Sequence, residues 1–159
     1  MLEGLLTGLI VASALGAGLV GGVFFAFSSF VMTALARLPA AQGIAAMQSI
    51  NIVVINPAFL GVFLGTAVAS AVLVVVALMA WSEPGAIWLL AGGGLYVVGT
   101  LVVTMAFNVP RNDALAALDP NRAEAAASWA RYVESWTAWN HVRTAAALAA
   151  AACLTIGLR

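Results

Sequence analysis

The side chains able to do chemistry are few in this chain, and they cluster. The one histidine, His141, stands beside Asn140 and two residues before Arg143, within the run Trp129 to Thr144. A second run holds Asn108, Arg111, Asn112 and Asp113 around Pro110, and a third, Gln48 to Asn56, holds Gln48 and Asn51. On a helical wheel at about 100° per residue with Asn140 as origin, Trp129, Trp136, Arg143 and Tyr132 fall within about 80° on one side. Thr144, Thr137 and His141 fall within about 100° on the other. Half of that helix is an aromatic and hydrogen-bonding surface. Thr100, Thr104 and Asn108, at four-residue steps, offer a matching stripe.

Structural roles compete for the same residues. Trp and Tyr gather at bilayer interfaces for their amphipathic rings alone. Arginines near helix ends snorkel to water, and Asn108 and Asn112 suit backbone groups freed by Pro110. Taken together, Asn108, Asn112, Asn140 and His141 exceed what a helix end needs, which favours a functional site. A lone histidine is more often a hydrogen-bonded structural group than a base, and it rules out bis-histidine haem within one chain. Zinc needs three or four ligands, and His141, Glu134 and Asp113 have no supporting spacing. Cys153 lies about 18 Å along the helix from His141. No metal is expected. Cys153 has no partner for an intrachain disulfide and reads as a small buried apolar residue. No phosphate-binding glycine loop and no serine nucleophile elbow is present.

The elements that position these groups follow from composition. Of 159 residues, 64% are hydrophobic and 8% charged, against about 25% charged in soluble domains. In water such a chain would expose large apolar patches; a bilayer removes that conflict. The net charge is zero and lysine is absent, which excludes a nucleic-acid partner. The expected fold is all-α: a four-helix transmembrane bundle in one domain, residues 1–159, with spans at about 4–35, 57–81, 86–107 and 139–158. The first span, at about 48 Å, exceeds the ~30 Å hydrocarbon core, so it must tilt, break or extend beyond it. Its acidic start and great length argue for a retained membrane helix rather than a signal peptide.

Pro39 to Ile55, with Gln42, Gln48, Ser49 and Asn51, reads as a short helix lying at the interface or folding back into the bundle. Asn56 and Pro57 read as the cap and first turn of the second span, and Ser82 to Gly85 as a tight turn. Pro110 is expected to end the third helix near Phe107 or Asn108. Asp119 and Pro120 are expected to start an extended fourth helix running to Leu158. Gly4 and Gly8, Gly18 and Gly22, and Gly61 and Gly65 suit close helix packing, within one chain or between copies of a homo-oligomer. With four crossings, Arg37, Arg111, Arg122, Arg131 and Arg143 fall on one side and Arg159 on the other. The positive-inside rule then places the long connections in the cytoplasm of a multi-pass cell-membrane protein.

Phe107-Asn108-Val109-Pro110-Arg111-Asn112-Asp113 and Trp136-Thr137-Ala138-Trp139-Asn140-His141-Val142-Arg143-Thr144 resemble the anthrone oxygenase-like membrane family. Gly22 to Ser28 and Met47 to Asn51 also look like it, so the resemblance spans nearly the whole chain. It implies a four-helix membrane protein. Some fungal relatives oxidise anthrones to anthraquinones without metal or flavin, whereas many bacterial relatives have no assigned reaction. Position 111 departs from the apolar residue expected there, so Arg111 alters the pocket or its anion preference.

The chemistry so implied is oxidation of an anthrone-like or other phenolic aromatic molecule by O₂, with no cofactor. It needs an aromatic slot, a base, and donors for a phenolate and a peroxide. Trp136 and Trp139 are the slot candidates. His141 is the base candidate, since imidazoles titrate near neutrality, with Asp113 orienting it or acting as base. Asn108, Asn112, Asn140 and Arg143 are the donors, and Arg111, Gln48 and Asn51 complete the binding set. Two other readings stay open. One is a non-catalytic membrane protein that binds a quinone, pigment or lipid; the other is a structural subunit of a membrane complex.

Overall fold

The computed structural model describes residues 2–158; Arg159, counted above for orientation, lies outside them. Among the described residues there are five helices and no strand. They are α1 (Glu3–Ala36), α2 (Ala40–Val53), α3 (Pro57–Met79), α4 (Ala86–Ala116) and α5 (Ala125–Ile156). Helices α1, α3 and α4 are long and apolar enough to cross a membrane. Leu15, Leu19, Phe25, Val68, Val75 and Val98 stand exposed on them, an outward apolar surface that lipid tolerates and water does not. The chain is a membrane protein. Helix α5 is not among those three, because Asn140, His141 and Arg143 interrupt its apolar run.

Helix α5 packs against α1, α2 and α4, and α3 lies against α1 and α4. Small residues bring α5 close to its neighbours: Ala146, Ala147 and Ala150 are buried, and a Cβ at Gly99 of α4 would stand 2.5 Å from that of Ala146. The short helix expected between the first two spans forms as α2. Its buried Ile44 and Met47 join Leu115, Trp129, Tyr132 and Trp136 in one apolar cluster. Gly43 lets α2 lie directly on the Trp129 indole, 2.9 Å from where its Cβ would be. Asn56 caps α3 as its sequence implied, accepting from the Phe59 N–H at 3.0 Å. Gly85 takes the left-handed φ of 92° in the turn before α4.

Two expectations are corrected. Pro110 does not end the third helix, which continues to Ala116. Thr104–Asn108 is wound as π-helix, and the Val109 N–H reaches back five residues to the Thr104 carbonyl. That wider turn accommodates a proline, whose ring and missing N–H conflict with a regular α-helical turn. The Arg111 guanidinium donates to the Phe107 carbonyl there at 2.7 Å. The second correction concerns Asp119 and Pro120. Asp119 accepts from the Asn121 N–H at 3.0 Å, a local turn of the kind aspartate favours. The helix starts only at Ala125, then runs unbroken for 32 residues.

The six glycines singled out for close packing have no atom within 4 Å of an added Cβ among the described residues. The close approaches within the chain fall elsewhere. At Gly93 a Cβ would stand 2.6 Å from the Ser70 carbonyl oxygen. Backbone cannot move aside as a flexible side chain can. Gly93→Ala is therefore expected to destabilise the α3–α4 pair by about 1–3 kcal/mol, read as a lower midpoint in SDS-induced unfolding. Gly65→Ala, at an open position, should leave that midpoint unchanged.

Candidate functional site

The face of α5 that carries Trp129, Tyr132, Trp136, Asn140, Arg143 and Thr144 is buried, whereas Thr137 and His141, on the same half of the wheel, are half-buried and exposed. Asn140 lies at its centre, with no exposed surface. Its Nδ2 donates to the Phe24 carbonyl and to Ser28 Oγ, both at 2.7 Å. Its Oδ1 accepts from Arg143 Nη2 at 2.7 Å. Ser28 begins no new helix; it sits in the π-helical turn Phe27–Val31 of α1 and lies 3.0 Å from Thr144 Oγ1. That hydroxyl also donates to the Asn140 carbonyl at 2.8 Å. One amide thus ties α1 to α5 and holds the guanidinium.

Arg143 is only 4% exposed. Besides Asn140, it donates from Nη1 to Thr104 Oγ1 at 3.2 Å, and its Nε has no partner. Its carbon lies 4.1 Å from the centre of the Phe24 ring and 5.1 Å from that of Trp136, within the range of cation–π attraction. Every partner is neutral. A buried cation without a counter-charge among the described residues is costly in a membrane domain, which makes Arg143 the first candidate for a functional role.

Below Arg143 the network continues into α4. Asn108, 1% exposed, donates to the Trp136 carbonyl at 3.3 Å, and its Oδ1 has no partner. Asn112 Oδ1 accepts from both the Tyr132 hydroxyl at 2.9 Å and Trp136 Nε1 at 2.8 Å. Burial pushes the Tyr132 phenol above its ordinary range, while the Asn51 amide and the Arg143 charge pull less strongly the other way. The phenol stays protonated and serves as a donor. Asn51 Nδ2, near the Tyr132 hydroxyl but outside hydrogen-bonding geometry, and Trp129 Nε1 are buried without partners. Free donors therefore outnumber free acceptors around these rings.

Other residues are placed differently. Gln48 holds the end of α4, donating to the Leu115 and Leu118 carbonyls at 2.8 and 3.0 Å. Trp139 is half-buried and stacks on Phe107, centroids 3.5 Å apart and planes within 5°. His141 and Asp113 are exposed, and the structure does not bring them together. Asp113 follows Asn112, level with Tyr132 and Trp136, whereas His141 lies five residues further along α5, about 7.5 Å. Its imidazole lines a separate groove between α5 and the end of α1. The Phe24 carbonyl, Ser28 and Thr104 complete the network; of these, only Thr104 stood on the polar stripe that the sequence offers. A hydroxyl inside a long apolar segment was the available signal for Ser28. Two of the three π-helical segments border the network, as such windings often do at functional sites.

The family model described as anthrone oxygenase matches residues 59–153, well over half the chain, and takes in Asn108, Asn112, Trp136, Asn140 and Arg143. The chain belongs to the anthrone oxygenase family. No curated protein and no solved structure gives a significant match. The anthrone oxygenase match covers α5 and the α4 side of the network; Phe24, Ser28, Gln48 and Asn51 precede it.

Proposed function

We propose that this protein oxidises an anthrone-like or other phenolic aromatic substrate with O₂ inside the membrane, without a cofactor, and that Arg143 stabilises the substrate anion. The observation that carries this is a guanidinium almost wholly buried, bonded only to neutral groups, with a free N–H and two aromatic rings against it. A fixed cation in an apolar site stabilises developing negative charge far better than water does.

The chemistry follows from that charge. An anthrone methylene beside two aromatic rings loses a proton, and the electrons delocalise onto the ketone oxygen. Each 1.36 kcal/mol by which Arg143 favours that anion lowers the carbon acid's pKa by one unit, so a correspondingly weaker base can take the proton. The anion gives an electron to O₂, and the two radicals combine into a peroxide at the former methylene. Loss of water leaves the second quinone carbonyl. One oxygen atom ends in the quinone and one in water, and the four electrons come from the substrate. Asn140 positions Arg143; Asn108 and Asn112 hold Trp136 as part of the aromatic wall.

In this reading α5 makes the fourth crossing from about Trp139, completing a four-helix bundle. The connections holding α2 and residues 117–124 face the cytoplasm, where Arg37, Arg111, Arg122 and Arg131 gather. The test is oxygen uptake by purified protein with a panel of anthrones and other hydroxylated aromatics. One O₂ consumed per quinone formed supports the proposal. A co-purifying aromatic ligand with no turnover across the panel would replace it with a binding function.

A further inference from the structure

Across α5 from Arg143 lies a groove of about 360 Å³, walled by Met32, Thr33 and Ala36 of α1 and by Glu134, Thr137 and His141 of α5. Its size is at the small end of ligand pockets, about 300–1,000 Å³; it holds one or two fused rings, not a two-chain lipid. The walls are largely apolar, and their hydrogen-bonding side chains are Thr33 of α1 and Glu134, Thr137 and His141 of α5. Ser135, Thr144 and Thr155 of that helix each donate to the carbonyl four residues back. Thr137 does not, and its hydroxyl has no partner. Threonine in a helix divides between two χ1 rotamers, so the hydroxyl can turn toward a ligand at little cost. Met32 and Val133, which line the groove, also pack on the cluster of Trp129, Tyr132 and Trp136. The back of the groove is therefore the front of the aromatic cluster.

We propose that this groove binds a neutral phenol, its hydroxyl donating to the His141 imidazole and its ring lying on Met32. The identity of that phenol as substrate rests on the function proposed above; its binding does not. Met32, a flexible thioether that adapts to irregular shapes, then separates the docked molecule from the rings around Arg143.

His141 is the only histidine, so protein labelled with ring-¹³C histidine and purified without a histidine tag gives one imidazole signal. In nanodiscs, titration with 1-naphthol is expected to move that signal saturably. Naphthalene, lacking the hydroxyl, should move it at least threefold less. Ala138→Phe, which fills the groove from an exposed position, should abolish the saturable shift, and Arg143→Met should preserve it. A shift that never saturates, that naphthalene reproduces, or that survives Ala138→Phe overturns the site. Turnover is not read, so loss of the oxidation proposal and loss of this one are separable results.

Discussion

Arg143→Met is expected to lower kcat/KM for anthrone oxidation by about 100- to 1,000-fold, the usual effect of removing one preorganised donor from an anion-stabilising site, while leaving the protein folded and no less stable. The two halves of that expectation have different origins. The guanidinium makes two bonds to neutral groups and leaves Nε free, so its burial is poorly compensated. Removing a buried charge that has no counter-charge relieves its desolvation cost, which offsets the cost of leaving Asn140 Oδ1 without its donor. Methionine fills the space between Phe24 and Trp136 without the desolvation cost. A residue kept only for stability would show the reverse pattern: lost stability first, and lost activity in proportion. Arg143→Lys separates charge from shape. It keeps the cation but loses the planar fork that meets Asn140 and Thr104 together, so it should retain part of the activity and lower the unfolding midpoint.

Asn140→Leu is expected to cost about 3 kcal/mol or more, measured by SDS-induced unfolding in mixed micelles. A single side-chain hydrogen bond in a membrane protein contributes on average about 0.6 kcal/mol, and three such bonds alone would not reach that value. The larger part comes from what is left behind. Removing the amide strands Arg143 Nη2 and the Phe24 carbonyl in a buried site, and an unsatisfied buried group costs about 1–3 kcal/mol, more when charged. The loss should therefore depend on Arg143 being present. In the background of Arg143→Met, Asn140→Leu should cost about half as much, a coupling that a double-mutant cycle reads directly. Equal costs in the two backgrounds would mean that the amide acts only by tying α1 to α5.

Much of this arrangement was legible in the residues because helical periodicity is rigid. Trp129, Tyr132, Trp136, Asn140 and Arg143 share a face by their spacing, and they share a buried surface in the structure. Composition pointed to a membrane for the same physical reason that Leu19 and Val68 stand exposed on helices long and apolar enough to cross one. Less legible was anything that depended on a local departure from α-helical winding. Pro110 reads as a terminator only if the turn before it is regular; a π-helical turn removes the conflict. Asp119 carried a capping signal, but its carboxylate is used in a turn six residues before the helix begins. His141 and Asn140 are adjacent in sequence and about 100° apart around the helix. One faces the network and the other a groove, and only the packing of α1 against α5 decides which is which.

The claim that carries the rest is that Arg143 favours the anionic form of a bound phenol. 1,2-Dihydroxyanthraquinone changes colour when it ionises, so its apparent pKa on the protein can be followed by absorbance as pH is varied. With wild-type protein in nanodiscs, the bound dye should ionise at least one pH unit lower than on Arg143→Met protein, corresponding to about 1.4 kcal/mol of preferential anion binding. Ionisation at the same or a higher pH on wild type, with the dye bound equally to both, would show that the buried guanidinium does not act on a substrate anion.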